Sequence, residues 1–369
     1  NQGIAPFCIS LSVKDGILIP LYTKCPDWQG KSQKGKGFLN FPGEILKCGL
    51  KRFKVELWRE DMHRFRTFRG GIPRNDNFGS GLAGAGGRDT EVMMILLIIM
   101  AVILAMPVLY FFMIMPRIAC KPDTSPFLKW LYAHRGLHDN AALIPENSLA
   151  AFARAAEAGF GIELDVQMSK DGVPVVFHDF TLKRICGVEG KVSDYTYGEL
   201  QQFSLCGTPE RIPCFADVLK LVDGRVPLII ELKVERLDIS VCGAVDRLCA
   251  SYKGLYCIES FHPLAVFWYR RHRKHIVRGQ LADAFLKEGE FVGTLSFLLQ
   301  NLMFNWLGRP DFIAYNCKYP GMLSRRLCRG LYRSKAAAWT IRSREQLAEA
   351  RKHFDIFIFD GFVPKEKAC

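Results

Sequence analysis

Thirteen cysteines stand in this chain without one C-x-x-C pair and without the cysteine–histidine spacing of a zinc site. The number is odd, and nine of the thirteen (Cys186 to Cys369) fall in the C-terminal two thirds, often inside apolar segments. That pattern excludes a disulfide scaffold and fits small core residues in a reducing compartment. Helix-turn-helix, zinc-finger and RNA-binding signatures are missing too. The net charge of +13 (50 basic against 37 acidic residues) therefore points to phosphate substrates or anionic lipid surfaces, with no nucleic-acid partner expected. No obligate protein partner is evident. The length of 369 residues suits one large domain or two ordinary ones.

Residues 1–91 lack any sustained helical or strand period and carry 15 Lys+Arg against 9 Asp+Glu. Apolar runs such as Ile17 to Tyr22 and Phe53 to Trp58 find no convincing mate. Two readings stand for this region: a basic cytoplasmic extension with little structure, or upstream sequence preceding a native start at Met93 or Met94. Residues 92–115 then run without a charge, long enough to span a bilayer core as one helix. Pro107 is tolerable there and Tyr110 suits an interface. Pro116 to Pro122 offers no small-residue cleavage site, which argues against a signal peptide. With a start at Met93, Arg117 and Lys121 place the following part in the cytoplasm; with residues 1–91 present, their basic excess draws the N-terminus inside and the rest outside, and the cysteine usage favours the first. The expected product is a single-pass membrane protein. Residues 116–127 read as a linker and 128–366 as a soluble domain.

In that domain short apolar strands alternate with helical stretches. The strands expected are Leu131–Ala133, Ile162–Val166, Val173–Phe177, Leu228–Leu232, Tyr256–Glu259, Ile276–Gly279, Phe312–Tyr315, Ala336–Ile341 and Asp355–Phe359. The helices expected include Leu149–Ala158, Cys214–Val222, Ile239–Tyr252, Pro263–Arg273 and Arg344–His353. This is an α/β pattern whose length suits a (β/α)8 TIM barrel. It holds one strand too many, since Ile162–Val166 and Val173–Phe177 are joined without a helix.

The chemistry gathers at strand ends. Glu163 and Asp165 share one face of a strand by its period of two, and two such neighbours are stable against a hard divalent cation. The next strand ends on His178. Tyr132-Ala-His134-Arg135-Gly136 closes the first strand, and Pro145-Glu146-Asn147-Ser148 opens a helix that Asn147 or Ser148 can cap. Ile229, Glu231 and Lys233 share a strand face pointing to the barrel mouth, where barrel active sites lie. Three carboxylates, two histidines, an arginine and a lysine suit phosphodiester cleavage.

These motifs carry a resemblance. HRG at His134–Gly136, PENS at Pro145–Ser148, ELDVQMSKDG at Glu163–Gly172, VVFHD at Val175–Asp179 and IELK at Ile230–Lys233 resemble the glycerophosphodiester phosphodiesterase family, in a membrane-anchored bacterial-type member. ESF at Glu259–Phe261 and WTI at Trp339–Ile341 match more weakly. The resemblance covers about residues 128 to 365. It implies that Glu163, Asp165 and Glu231 hold one divalent cation, Ca2+ or Mg2+, and that His134 and His178 are the acid/base pair. Arg135 and Lys233 would contact phosphate, Glu146 would orient Arg135 or the metal shell, and Trp339 would line the pocket. Asp360 matches a terminal acidic position without an assigned role. The family usually has PENT where this chain has Ser148, which keeps the hydroxyl.

The implied reaction is hydrolysis of glycerophosphodiesters to glycerol 3-phosphate and an alcohol. The alternative is lysophospholipase D or phospholipase C-like cleavage of a lipid that keeps acyl chains. A non-catalytic membrane-bound binding protein is the third reading, opposed by the intact motif set. Two further stretches are expected to be structural. The apolar run Phe291 to Leu307 reads as a barrel-packing helix, or else as a lip dipping into a bilayer. The basic run Arg270 to His275 reads as a solvated helix end, or else as a contact for anionic headgroups.

Overall fold

The computed structural model describes residues 7–14, 17–24, 85–289 and 293–366. The chain divides into two compact units, Asn1–Ala83 and Gly84–Cys369. In the first, β1 (Phe7–Lys14) pairs antiparallel with β2 (Ile17–Lys24), Phe7 opposite Lys24 and Lys14 opposite Ile17. Phe7, Ile9, Leu11 and Val13 alternate with Cys8, Ser10, Ser12 and Lys14, a short strand period. The run Phe53 to Trp58 lies outside the described residues.

The second unit opens with α1 (Ala85–Ile114), which contains Pro107. From Thr90 to Ile114 its mean hydropathy is 3.1, with apolar side chains exposed. Those 25 residues span about 37 Å at helical rise, so length and composition suffice to cross a bilayer. The last turn is held by the domain that follows. Ile114 is fully buried, and its carbonyl accepts from Asn305 Nδ2 at 3.0 Å and Cys328 Sγ at 3.3 Å. Tyr332 Oη donates to the Phe111 carbonyl at 2.8 Å. These groups satisfy carbonyls that a helix end otherwise leaves unpaired.

Eight parallel strands close into a barrel: β3 (Leu131–His134), β4 (Gly161–Met168), β6 (Leu228–Leu232), β7 (Tyr256–Ser260), β8 (Arg278–Ala282), β9 (Phe312–Asn316), β10 (Lys335–Ile341) and β11 (Ile356–Phe359). Pairing of β3 with β4 completes the ring. The surplus strand, β5 (Pro174–Val176), lies antiparallel on β4, Val166 opposite Val176. Barrel strands are buried on both faces, so they read as near-continuous apolar runs; all five residues of β6 are buried. Among the helices that follow are α2 (Leu149–Ala158), α3 (Phe215–Val222), α4 (Ser240–Cys249), α5 (Pro263–His272), α6 (Thr294–Gln300), α7 (Asn305–Gly308), α8 (Leu323–Gly330) and α9 (Arg344–Ala350). The apolar run expected as one packing helix is α6 and α7, its first two residues lying outside the described ones.

Two turns position the site. Ser148 caps α2, its hydroxyl accepting from Ala151 N at 3.1 Å, and Gly159 ends the helix at φ 76°. Ala151, Phe152, Ala155 and Ala156 form its buried face. Gly136 turns the chain out of β3 at φ +82°, where a Cβ would meet the Ala151 backbone carbon at 2.9 Å. Gly136→Ala combines left-handed strain with that collision. It is expected to cost about 2 kcal/mol or more, a fall in Tm of about 4–8 °C for a domain of this size, measurable by thermal denaturation.

Candidate active site

Strand register assembles the site. β3 and β4 place His134 beside Glu163, β4 and β6 place Asp165 beside Glu231, and β6 and β7 place Glu231 beside Glu259. Carboxylate oxygens of Glu163, Asp165 and Glu231, all buried, lie within 4.8 Å of one another, about one inter-strand spacing. Lys233, just past β6, puts Nζ 2.7 Å from Glu231 Oε1 and 3.0 Å from Asp165 Oδ1. Arg135 places Nε 3.4 Å from Asp165 Oδ2, and its backbone N–H donates to Glu163 Oε2 at 3.1 Å. Arg135 takes φ 56° and Asn147 φ 54°. Non-glycine residues in this left-handed region concentrate at functional sites.

β5 explains how His178 arrives. Phe177 N–H donates to the Asp165 carbonyl at 2.9 Å, and the Gln167 amide donates to the carbonyls of Phe177 and Asp179. The antiparallel flap thus folds His178 back over the β4 carboxylates. Its Nδ1 lies 2.6 Å from Asp179 Oδ1, which orients the ring. On the other side, His134 Nε2 is 4.0 Å from Glu163 Oε2 and its Nδ1 is 3.6 Å from Asp360 Oδ2. Asp360 also pairs with His138 at 2.9 Å. His134 thus lies against Glu163, while the charge of His178 acts on Asp165 and Glu231.

The electrostatics are those of an over-acidic interior. Burial, then Asp165, Glu231 and Glu259 around it, push the Glu163 carboxyl well above its usual range. Burial and Glu231 do the same to Glu259. Burial acts on Asp165 as well, but Lys233, His178 and Arg135 outweigh it and hold that group well below the usual range. Burial lowers His134 to about 4, only partly opposed by Asp360, so its imidazole is neutral at pH 7. Four buried carboxyl groups face two cations, Arg135 and Lys233. Glu259 Oε2 is buried without a hydrogen bond, and Asp165 Oδ1 meets only Lys233 Nζ at 3.0 Å. An oxygen-only donor set with unspent acceptors fits a hard divalent cation, and Glu163, Asp165 and Glu231 are the residues that could hold it.

The remaining expected residues are close by. Glu146 Oε1 accepts from Arg135 Nη1 at 2.7 Å, so it holds Arg135 rather than the carboxylates. Trp339 meets Phe261 edge-on at 5.5 Å between centroids, and its indole N–H is buried without a partner. The sequence reading passed over several neighbours. Asn147 Nδ2 donates to Asp165 Oδ2 at 2.9 Å, a role hidden behind its candidacy as a helix cap. Asp179 is within the VVFHD motif and Glu259 within ESF. Nothing in the sequence marked His138 or Arg184.

Arg184 closes a chain of ion pairs. Its guanidinium contacts Asp179 at 2.6 Å and Glu146 at 2.7 Å, linking Arg135, Glu146, Arg184, Asp179 and His178 in series. Burial would raise Glu146, but Arg184 and Arg135 lower it from about 4.5 to about 2. A depressed carboxyl stabilises the fold fully above its unfolded value and loses that contribution as pH falls through its folded one. Glu146→Gln should therefore flatten the decline of Tm between about pH 5 and 2, followed by thermal melts across pH. Arg184→Ala leaves the acid/base groups present but unbraced. It should lower kcat about tenfold with little change in KM, in steady-state assays.

Comparison with known proteins agrees with the motifs. Residues 134–284 match the profile of the Glycerophosphoryl diester phosphodiesterase family. A glycerophosphodiester phosphodiesterase of Caldanaerobacter subterraneus subsp. tengcongensis is 44% identical over 168 residues, covering 42% of this chain and 68% of that protein. Glycerophosphodiester phosphodiesterase 1 of Homo sapiens is 40% identical over 269 residues, covering 63% of this chain and 77% of that protein. In fold the chain is similar to an Oleispira antarctica phosphodiesterase solved with sn-glycerol-3-phosphate, with TM-score 0.52 and 23% identity over 64% of this chain and 94% of that one. With its motifs brought to one barrel mouth and relatives matched over most of their length, this chain belongs to the glycerophosphodiester phosphodiesterase family.

Proposed function

We propose that the barrel hydrolyses glycerophosphodiesters to glycerol 3-phosphate and an alcohol, as a membrane-anchored, bacterial-type member of its family. The observation that carries this reading is the buried cluster of Glu163, Asp165 and Glu231 with His134 against it and the flap that ends on His178 beside it. One divalent cation, calcium or magnesium, held by Glu163, Asp165 and Glu231, would supply Lewis-acid polarisation of the phosphoryl group. Arg135, braced by Glu146, and Lys233 bind the phosphate oxygens. His134, neutral at pH 7, accepts a proton. His178, with Nδ1 fixed on Asp179, presents Nε2 to exchange a proton on the other side of phosphorus. Trp339, packed edge-on against Phe261, lines the pocket. The domain bounds follow: 92–115 as anchor, 116–127 as linker and 128–366 as the catalytic barrel.

The free cysteines, with Arg117 and Lys121 following α1, support a barrel on the cytoplasmic side. Labelling of the exposed Cys206 by an impermeant maleimide in intact cells would contradict that side; labelling only after lysis is expected.

The test of the reaction is release of glycerol 3-phosphate from glycerophosphocholine by the full chain, with calcium, magnesium or EDTA. Turnover with a divalent ion and none with EDTA is expected. Turnover undiminished in EDTA would contradict the assignment of the triad.

A further inference from the structure

The apolar helix α1 meets the barrel at a turn crowded with arginine. Residues 306–309, the end of α7 and the residue after it, offer four carbonyls in succession, and two guanidiniums bind all of them. Arg270 Nη1 donates to the Trp306 and Leu307 carbonyls at 2.9 and 2.7 Å. Arg278 donates to those of Gly308 and Arg309 at 3.1 and 2.8 Å. A helix end leaves such carbonyls unpaired, so here arginines fix the turn. Arg309 itself takes φ 47° and brings its own guanidinium onto α1, 5.7 Å from the centroid of the Phe112 ring.

Countercharge is short at this place. Asp311 lies 3.5 Å from Arg117 and 3.6 Å from Arg278. Among the described residues neither Arg270 nor Arg309 forms an ion pair. Burial lowers the Arg309 guanidinium from its ordinary value, and the charge of Arg270 lowers it further. Burial likewise lowers Arg278 to about 10, with Asp311 opposing and Arg117 and Arg270 adding to the fall. Both stay charged at pH 7. Four guanidiniums thus crowd one carboxylate, and an anion relieves their mutual repulsion.

The surroundings are those of a membrane interface. Trp306 stacks on Phe112 at 6.2 Å and 27°, and Tyr332 Oη holds the Phe111 carbonyl. Trp and Tyr gather where acyl chains give way to headgroups. Ile118, Trp306 and Leu331 are exposed. Phe112 is in the last turn of α1, so a helix that crosses a bilayer sets Arg309 at headgroup depth. A guanidinium grips phosphate through two parallel N–H bonds. The trimethylammonium of a zwitterionic lipid is repelled by Arg270 and Arg309; an anionic headgroup carries no such cation.

Resting on the reading of α1 as a membrane anchor, we infer that the Trp306–Arg309 turn, with Arg270 beside it, seats the headgroup of an anionic phospholipid whose acyl chains lie along α1. Arg309 holds the lipid phosphate. The seat is at the N-terminal ends of β8 and β9, where Arg278 and Asp311 stand, and so lies away from the carboxylate cluster. It binds the lipid without cleaving it.

The full chain is reconstituted into phosphatidylcholine vesicles and floated on a density gradient. The vesicles then carry graded fractions of lipid brominated on its acyl chains, phosphatidylglycerol in one series and phosphatidylcholine in the other. Bromine quenches an indole only at close range, and Trp306 emission is read as the difference between the chain and Trp306→Phe. Half-quenching should need about fivefold less brominated phosphatidylglycerol than brominated phosphatidylcholine, the gain expected of one arginine at an anionic surface. Arg309→Asn, which suits the left-handed backbone, should erase that preference and leave Tm within about 2 °C. Excess inorganic phosphate should leave the wild-type preference unchanged. Equal quenching by the two lipids in a chain that floats would overturn the seat and leave the anchor standing. A preference that survives in Arg309→Asn would overturn it too, since the lipid would then be held elsewhere. A preference lost to inorganic phosphate would mark a site for the free anion and overturn the lipid as its occupant. A chain that floats with no vesicle would overturn the anchor, and the seat with it.

Discussion

Replacing His178 by alanine is expected to lower kcat by about 10²–10⁴-fold, the range for losing a positioned acid or base, with KM nearly unchanged. Its ring is partly exposed, and its segment is held by backbone and Gln167 bonds rather than by the imidazole. Tm should therefore stay within about 1 °C, as for surface substitutions that break no buried network. Asp179→Asn keeps the ring and removes the charge that orients it, so it should fall between wild type and His178→Ala. Equal kcat in His178→Ala and wild type would remove this residue from the mechanism.

The second large effect concerns the carboxylates. Without a cation, Glu163, Asp165 and Glu231 oppose one another in a buried place, and Lys233 offsets them only in part. An ion that binds only the folded state adds RT ln(1 + [L]/Kd), about 2.7 kcal/mol at a hundredfold excess over Kd. For a domain of this size that corresponds to a rise in Tm of about 5–11 °C on adding calcium or magnesium to EDTA-treated protein. Glu163→Gln relieves repulsion in the ion-free state. It should hold or slightly raise Tm in EDTA, abolish the ion-induced rise and abolish turnover. A variant that merely misfolds would lower Tm in EDTA instead, so the sign separates the two explanations.

Much of this architecture was legible because it follows short-range rules. The bounds of β6 and α2 are those expected from apolar runs, a cap at Ser148 and a glycine at Gly159. The count of nine strands was resolved by β5, which the missing helix before it had already marked as irregular. Where charge sits inside, the pattern misled. β8 was expected at Ile276–Gly279 and begins at Arg278, which is buried because its guanidinium donates to the carbonyls of Gly308 and Arg309. α8 was not foreseen for a similar reason. Arg325, with a buried guanidinium bonded to the Pro320 and His353 carbonyls, reads in sequence as a surface residue. Partners that are distant in sequence are invisible to a period: Arg184 joins Glu146 and Asp179 only once the flap after β5 has folded.

The site divides along the same line. Glu163 with Asp165, and Glu231 with Lys233, could be read as sharing a face because strand alternation fixes it, while His134 and His178 stood out as strand-end residues and through the family resemblance. Asn147 and Asp360 could not, since their roles depend on loop geometry at Pro145–Ser148 and after β11. The run Phe291 to Leu307 is legible as apolar but not as the wall of a cavity whose other side comes from the ends of β6 and β7.

One titration tests the central claim most directly. Full-length protein stripped with EDTA is titrated with calcium and, separately, magnesium, while Tm and the rate of glycerol 3-phosphate release from glycerophosphocholine are followed together. The account predicts that both rise with one shared half-saturating concentration, and that neither responds in Glu163→Gln. Full activity in the stripped protein, or activity returning without any change in Tm, would contradict it.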